Sequence, residues 1–306
     1  MALTCISLET MQPAPISEAT ILCLGNFDGV HIGHRALLER ARELKETQFP
    51  DAVCGVFCFD TYPADHLLPK PPKHLLTPTQ KLARFREAGM DFAILAHFPS
   101  LRSLSPETFA KDVLLEQCHA VGLVCGFNYH FGKNGCGTPE TLRSVLDIPV
   151  SVVDEVVADG DTVSSTRIRS LLARGAVEEA TRLLGRPYGF TAPVEHGKAL
   201  GRRLGAPTIN QYFPAQLQEL FHGVYVTECR VDGRTYRGVT NVGTRPTVEC
   251  TTLANCETYL LDFEGTLYGK DVEIAFLSFL RPERKFESPD ALREQIALDI
   301  ASAKEF

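Results

Sequence analysis

The hydrophobic pattern of this 306-residue chain changes character once, at the segment Gly185-Arg186-Pro187. Before this segment, short apolar runs alternate with stretches in which apolar residues recur at helical spacing. After it, short apolar runs divided by Gly and Asp turns follow one another. The change predicts two domains, 1–186 and 187–306, which agrees with a length of about two average domains.

The first domain reads as alternating strands and helices. The apolar runs predict strands at 21–25, 52–59, 92–96, 122–125 and 150–157, and the periodic stretches predict helices at 32–44, 79–88, 106–116 and 165–173. Strands and helices that alternate in this way are typical of βαβ units. We therefore expect an α/β domain with a parallel sheet.

The second domain reads as a series of strands that ends in one helix. Strands are predicted at 223–229, 235–242, 257–261 and 272–280. The helix is predicted at 289–304, where Leu292, Ile296 and Ile300 form one apolar stripe. This order predicts a small antiparallel β-barrel with a C-terminal helix.

Charge and composition exclude several classes of function. The formal net charge is −7 at pH 7 and both domains are net negative, which argues against nucleic acid as a partner but allows a local basic pocket for nucleotide phosphates. No apolar run approaches the roughly 18 residues of a membrane-spanning helix, and residues 1–20 lack the features of a secretory signal. Ten cysteines without CxxC pairs favour reduced, buried thiols. We expect a cytoplasmic protein that binds no membrane.

A Gly-rich turn connects the first predicted strand to the first long helix. Its sequence is Gly25-Asn26-Phe27-Asp28-Gly29-Val30-His31-Ile32-Gly33-His34. Ligands bind at this end of the strands in a parallel sheet, and a helix start offers N–H donors to phosphate. His31 and His34 are three residues apart, so both rings can face one side and stabilise charge on a phosphate. On the residues alone, a loop with one surface His and one helix cap is the alternative.

A second Gly-rich segment, 197–205, carries three cationic residues and leads into Thr208 and Asn210. These two residues alternate, so on an extended stretch their side chains point to one face. A hydroxyl and an amide oxygen are hard ligands suited to Mg²⁺. On the residues alone, a turn after Pro207 is the alternative.

The motifs of the first domain resemble those of nucleotidyltransferases. The turn is similar to their GxFDGxHxGH signature, in which an HxGH element binds the phosphates of ATP. Segments 126–133 and 164–169 resemble the GxNxxFG loop and the SSTxIR segment of prokaryotic flavin adenylyltransferases. The resemblance implies catalytic roles for His31 and His34 and a flavin-binding role for Asn128. It implies ATP-binding roles for Gly25, Phe27, Asp28, Gly29, Gly33, Ser164, Ser165, Thr166 and Arg169.

The motifs of the second domain resemble those of riboflavin kinase. Segment 197–210 is similar to the family signature GxxxGxxLGxPTxN, and further motifs follow in the family's order. The resemblance implies that Glu257 is the catalytic base and that Thr208 and Asn210 are the metal ligands. It implies ATP-binding roles for Gly197, Lys198, Gly201, Arg202, Leu204 and Gly205.

These motifs extend along essentially the whole chain, which is therefore similar to the prokaryotic bifunctional riboflavin kinase/FMN adenylyltransferase family. The resemblance implies a Rossmann-like nucleotidyltransferase domain followed by a riboflavin kinase-like barrel. It also implies two reactions that use ATP and Mg²⁺. Riboflavin is converted to FMN with release of ADP, and FMN is then converted to FAD with release of pyrophosphate.

One departure from the family pattern keeps alternatives open. Residues 59–65 lack the His that the family usually has after the second strand, so a riboflavin kinase with weak or absent adenylyltransferase activity is one alternative. A flavin-binding protein without turnover is another, although it would need neither the base Glu257 nor metal ligands. A nucleic-acid-binding barrel is disfavoured because the second domain is net negative and the chain has no Trp.

Overall fold

The computed structural model describes residues 3–8, 16–197, 207–244 and 254–306. The chain divides into two compact units. One contains Met1–Pro72 and Pro78–Ser164, and the other contains Lys73–Thr77 and Ser165–Phe306. Within the described residues, no helix is both long and apolar enough to cross a membrane.

The first unit contains a six-stranded sheet in which every neighbouring pair of strands is parallel. Its strands are β1 Thr4–Leu8, β2 Thr20–Leu24, β3 Val53–Phe59, β4 Phe92–Ala96, β5 Ala120–Gly126 and β6 Val150–Val153, in the order β1-β4-β3-β2-β5-β6. All five residues of β2 are buried. The short apolar runs of the sequence therefore correspond to strands that are covered on both faces, as is usual in parallel sheets.

Helices and a small ribbon complete this unit. The helices are α1 Ile32–Gln48, α2 Pro63–Leu67, α3 Pro78–Glu87, α4 Phe98–Leu101, α5 Pro106–Thr108 and α6 Pro139–Val145, with a π-helix at Phe109–Gln117 and a 3₁₀ turn at Lys133–Gly135. The helix predicted at 106–116 is thus largely a π-helix. The strand predicted at 150–157 is wrong in its second half, because β7 Val157–Ala158 pairs with β8 Asp161–Thr162. Asp159 and Gly160 between them have φ values of 53° and 82°, as a tight hairpin turn requires.

The second unit contains a six-stranded antiparallel sheet that curls into a barrel. Its strands are β9 Tyr188–Pro193, β10 Thr208–Tyr212, β11 Gly223–Val231, β12 Arg234–Thr244, β13 Ala254–Leu260 and β14 Asp271–Pro282, in the order β10-β13-β12-β11-β14-β9. The two edges meet where the Glu195 backbone N–H donates to the Asn210 carbonyl oxygen at 2.8 Å. The antiparallel barrel predicted from the short strands is confirmed.

Among the described residues of the barrel unit there are three helices: α7 Ser165–Ala173, α8 Val177–Leu184 and α9 Pro289–Glu305. The apolar stripe predicted on α9 is only half-buried, and the fully buried positions are Asp299 and Ala303. Asp299 can be buried because the Arg281 guanidinium binds both of its carboxylate oxygens at 2.8–3.2 Å. Arg281 therefore fixes the last helix on the barrel.

Candidate active sites

The strand order of the parallel sheet places a ligand crevice at the end of β2. From β2 the chain continues to β3 on one side, whereas β5 lies on the other side of β2. Ligands bind at such a switch point, outside the carboxyl ends of the strands. The loop 25–31 follows β2, and Asn128 follows β5 in an exposed position. The two motifs predicted to bind ATP and flavin thus start from neighbouring strand ends.

The 25–31 loop has an unusual backbone that packing stabilises. Phe27, Gly29 and Val30 have φ values of 52°, 85° and 41°, and a branched residue such as Val30 rarely adopts this conformation. The Phe27 ring is fully buried and lies edge-on to the Phe85 ring, with centroids 5.4 Å apart. It also lies 5.2 Å from the His34 ring. The loop that follows Gly25 is therefore anchored by its aromatic residue.

His31 and His34 lie together at the start of α1, as predicted. His31 is the N-cap residue, and its Nδ1 accepts a hydrogen bond from the His34 backbone N–H at 3.3 Å. The two rings stack with centroids 3.7 Å apart. A Cβ atom at Gly33 would lie 3.2 Å from the His31 ring, so glycine allows this close packing. Both imidazoles can act on one ligand at the helix start.

The environment of His34 favours its neutral form. Burial of the ring, and after it the neighbouring charges of His31 and Lys81, hold the pKa of His34 well below its ordinary value. Its Nδ1 is buried without a hydrogen-bond partner among the described residues. An imidazole in this state can donate or accept one hydrogen bond when a ligand arrives.

The Asp28 side chain is held by segment 59–65, which lacks the His that the family usually has after the second strand. The Asp28 side chain is buried, and its Oδ1 accepts a hydrogen bond from the Tyr62 hydroxyl at 3.0 Å. In the same segment, Asp60 Oδ2 lies 3.0 Å from Nδ1 of His97. The segment thus contacts the 25–31 loop through Tyr62, which sequence reasoning noted only as a departure from the family pattern.

The segment that resembles SSTxIR lies at the start of α7. Ser164 ends the first compact unit, and Ser165 and Thr166 open the helix. Arg169 is half-buried, and its Nε donates to the backbone oxygen of Lys73 at 2.5 Å. Contact of these four residues with ATP stays a prediction.

Strand pairing brings the predicted kinase residues to one face of the barrel sheet. Asn210 on β10 lies directly opposite Glu257 on β13, and Asn241 on β12 lies opposite Glu257 on its other side. Directly opposite residues of an antiparallel pair share a face. Thr208 shares this face too, because it lies two residues before Asn210 on the same strand. The predicted base and the two predicted metal ligands are therefore neighbours, although 47 and more residues separate them along the chain.

Two further residues, Asn255 and Glu283, form hydrogen bonds with side chains of this face. Asn255 Nδ2 donates to Glu257 Oε1 at 3.3 Å, and Asn241 Nδ2 donates to Glu283 Oε1 at 3.0 Å. Asn255 lies two residues before Glu257, so period-two spacing on a strand could have predicted this contact. Sequence reasoning assigned no role to Asn255.

The oxygen atoms of this face fit a magnesium ion. Thr208 offers a hydroxyl and Asn210 an amide, and Asn255 Oδ1 is a buried amide oxygen without a hydrogen-bond partner among the described residues. The described residues contain no cluster of three or more His, Cys, Asp or Glu side chains suited to a metal. An ion held by Thr208 and Asn210 would also take ligands from phosphate and water, as Mg²⁺ commonly does.

Gly197 adjoins the same face, because a Cβ atom there would lie 2.2 Å from Asn210 Nδ2. The other residues predicted to bind ATP in this domain, Lys198, Gly201, Arg202, Leu204 and Gly205, lie outside the described residues.

Known proteins with similar sequences cover nearly the whole chain. A family model described as FAD synthetase matches residues 14–167, and one described as riboflavin kinase matches residues 184–306. A bifunctional riboflavin kinase/FMN adenylyltransferase of Listeria monocytogenes is 33% identical over 296 residues, 94% of this chain and 92% of that protein. A protein of the same description from Pseudomonas fluorescens is 35% identical over 294 residues, 95% of this chain and 94% of that protein.

A solved structure shares the fold over its full length. A crystal structure described as a macrolide-efflux protein from Streptococcus pneumoniae is 29% identical in sequence and superposes with a TM-score of 0.92. The match covers 99% of this chain and 100% of that one. Since the curated relatives share about a third of their residues with this chain over more than nine-tenths of its length, the chain belongs to the bifunctional riboflavin kinase/FMN adenylyltransferase family.

Proposed function

We propose that residues 187–306 phosphorylate riboflavin and that residues 1–186 then adenylylate the FMN formed. The observation that carries this proposal is the pairing of Asn210 with Glu257, which puts a carboxylate beside the proposed metal ligands on one face of the barrel sheet. A protein that only bound flavin would need no such combination of base and metal ligands. The positions of His31, His34 and Asn128 at the switch point of the parallel sheet support the second activity.

In the kinase reaction, Glu257 is the general base. The 5′-hydroxyl oxygen of riboflavin attacks the γ-phosphorus of ATP, the bond from that phosphorus to the β,γ-bridging oxygen breaks, and ADP leaves. Glu257 accepts the hydroxyl proton, while the amide of Asn255 holds its carboxylate in place. The products are FMN and ADP.

A magnesium ion bound with ATP would neutralise charge on the phosphates. Thr208 and Asn210 would hold it through their side-chain oxygens. The residues of this domain that we propose to bind the nucleotide are Gly197, Lys198, Gly201, Arg202, Leu204 and Gly205.

In the adenylyltransferase reaction, no protein nucleophile is needed. A phosphate oxygen of FMN attacks the α-phosphorus of ATP, the bond to the α,β-bridging oxygen breaks, and pyrophosphate leaves. The positive end of the α1 dipole at its first turn and the imidazoles of His31 and His34 stabilise the charge that develops on the phosphates. Asn128 binds the flavin. The proposed ATP-binding residues are Gly25, Phe27, Asp28, Gly29, Gly33, Ser164, Ser165, Thr166 and Arg169.

One incubation tests both activities. The purified chain is mixed with riboflavin, ATP and Mg²⁺, and the flavins are separated by chromatography with fluorescence detection. We expect FMN followed by FAD. FMN that accumulates without FAD would support the alternative of a kinase without adenylyltransferase activity, and the absence of both products would refute the enzymatic proposal.

A cytoplasmic location stays a prediction of the sequence.

Two variants test the residue assignments. Glu257→Gln should lower FMN formation by about 10²-fold or more but still convert supplied FMN to FAD, whereas His31→Ala should abolish FAD formation and spare FMN formation. Glu264→Gln changes an exposed glutamate of the barrel unit in the same way and serves as the control. Unchanged riboflavin turnover in Glu257→Gln would rule out the base, and loss of FMN formation in His31→Ala would rule out separate sites.

A further inference from the structure

Lys81 is a buried cation on the helix that packs against the 25–31 loop. Its relative exposure is 6%, and α3 buries it together with Phe85, one turn further along. The Phe85 ring lies edge-on to Phe27 of the loop. Lys81 Nζ lies 3.5 Å from the backbone oxygen of Asn26, at the carboxyl end of β2. The ammonium group therefore reaches the crevice in which ATP is proposed to bind.

The contacts of Lys81 within the described residues are to neutral groups. Among the described residues it takes part in no ion pair, and its contact to Asn26 is at the limit of hydrogen-bond length. Its Nζ also lies 4.8 Å from the centre of the Tyr62 ring and beside the Cys58 thiol. The Tyr62 hydroxyl binds the carboxylate of Asp28. Burial of an ammonium is unfavourable unless negative charge offsets it, and an anionic ligand would supply that charge.

Lys81 also acts electrostatically on the predicted catalytic histidines. Its charge is one of the causes, after burial and His31, that lower the pKa of His34. Three groups that can carry positive charge are thus close together in the free protein. A polyphosphate bound among them would offset the positive charge of Lys81, which disfavours protonation of His34.

We propose that Lys81 is a further catalytic residue of adenylyl transfer, which donates hydrogen bonds to the phosphate chain of ATP and stabilises pyrophosphate as it leaves. This inference rests on the proposed adenylyltransferase function of the first domain. As the FMN phosphate oxygen bonds to the α-phosphorus, the bond to the α,β-bridging oxygen breaks and its electrons pass to pyrophosphate. An ammonium group at these oxygens stabilises the transition state more than the ground state.

Replacement of Lys81 by Met keeps the apolar stem and removes the charge. With FMN and ATP as substrates, Lys81→Met should lower kcat for FAD formation by about 10²-fold and weaken the binding of inorganic pyrophosphate about tenfold, as measured by calorimetry. Formation of FMN from riboflavin should not change. The matched control is Lys111→Met, at an exposed lysine of the π-helix in the same unit, which should keep both activities.

The outcomes separate this inference from the proposal on which it rests. If the wild-type chain makes no FAD, the adenylyltransferase proposal fails whatever Lys81 does. If the wild type makes FAD and Lys81→Met makes it at the same rate, or binds pyrophosphate equally well, the role of Lys81 is refuted. Should Lys81→Met unfold the first unit, Lys81→Ala supplemented with propylamine replaces it, and recovery of FAD formation with increasing amine supports the role while a lack of recovery in folded protein overturns it.

Discussion

Replacement of Gly197 by Ala tests whether the side-chain amide of Asn210 takes part in phosphoryl transfer. A Cβ atom at position 197 would lie 2.2 Å from Asn210 Nδ2, 2.6 Å from its Cγ and 2.7 Å from its Oδ1. Ordinary van der Waals contact begins at 3.4 Å, so the amide nitrogen must move by about 1.2 Å, the difference between 3.4 and 2.2 Å. Asn210 is buried and its backbone oxygen is bonded to Glu195, so we expect the side chain to rotate rather than the strand to shift.

A displacement of about 1 Å at a group that positions substrate can lower a rate about 10²-fold. We therefore expect Gly197→Ala to reduce kcat for FMN formation from riboflavin about 10²-fold. The rate is measured by chromatography of FMN over time. Conversion of supplied FMN to FAD by the same preparation is the internal control and should not change.

A double-mutant cycle separates displacement of Asn210 from a direct effect on nucleotide binding. In an Asn210→Ala background the three atoms nearest to the new methyl group are absent, so Gly197→Ala should add little further loss. Wild-type kinase activity in Gly197→Ala would contradict the steric argument. Equal losses in the two backgrounds would show that the glycine acts without Asn210.

Two further predictions concern protonation and stability. His34 should stay neutral in the folded protein as the pH falls through 6.5, because its pKa is lowered there. The free energy of unfolding should then decrease below this pH, where only the unfolded chain binds the proton. His34→Gln should reduce this decrease, as measured by urea denaturation at several pH values. Asp299→Asn should lower the free energy of unfolding of the barrel unit by about 3 kcal/mol because the half-buried Arg281 loses its carboxylate, whereas Asp290→Asn, in an exposed pair of the same helix, should cost less than about 1 kcal/mol in the same assay.

The strands of the first unit were largely predictable because a parallel sheet buries both faces. Four of its strands are nearly continuous apolar runs, and the predictions for them differ from β2, β3, β4 and β5 by at most two residues at either end. The edge strand β1 was missed, since only Ile6 and Leu8 of its five residues are buried. The strand order was beyond the reach of the sequence pattern, because hydrophobic spacing does not say on which side of β2 the next strand pairs.

The face of the barrel sheet that carries Glu257 and Asn210 shows, for single residues, that the sequence pattern does not reveal which strands pair. The family motifs supply Glu257 and Asn210, but only the register of β10 against β13 makes them neighbours. The contact of Asn255 with Glu257 follows from strand spacing. By contrast, the hydrogen bond between Tyr62 and Asp28 joins residues 34 positions apart in different loops, and no periodic pattern relates them.

Lys81 illustrates why residue type and spacing can conceal a candidate site residue. Lysine is mostly found at the surface. From the sequence, a lysine among the charged residues of α3 is therefore predicted to face solvent. The fold instead buries it four residues before Phe85, on the face turned to the 25–31 loop. A buried apolar residue needs no explanation beyond packing, whereas a buried ammonium without an ion-pair partner among the described residues is unfavourable in the free protein. For a lysine, burial is therefore an argument for a ligand rather than for a purely structural role.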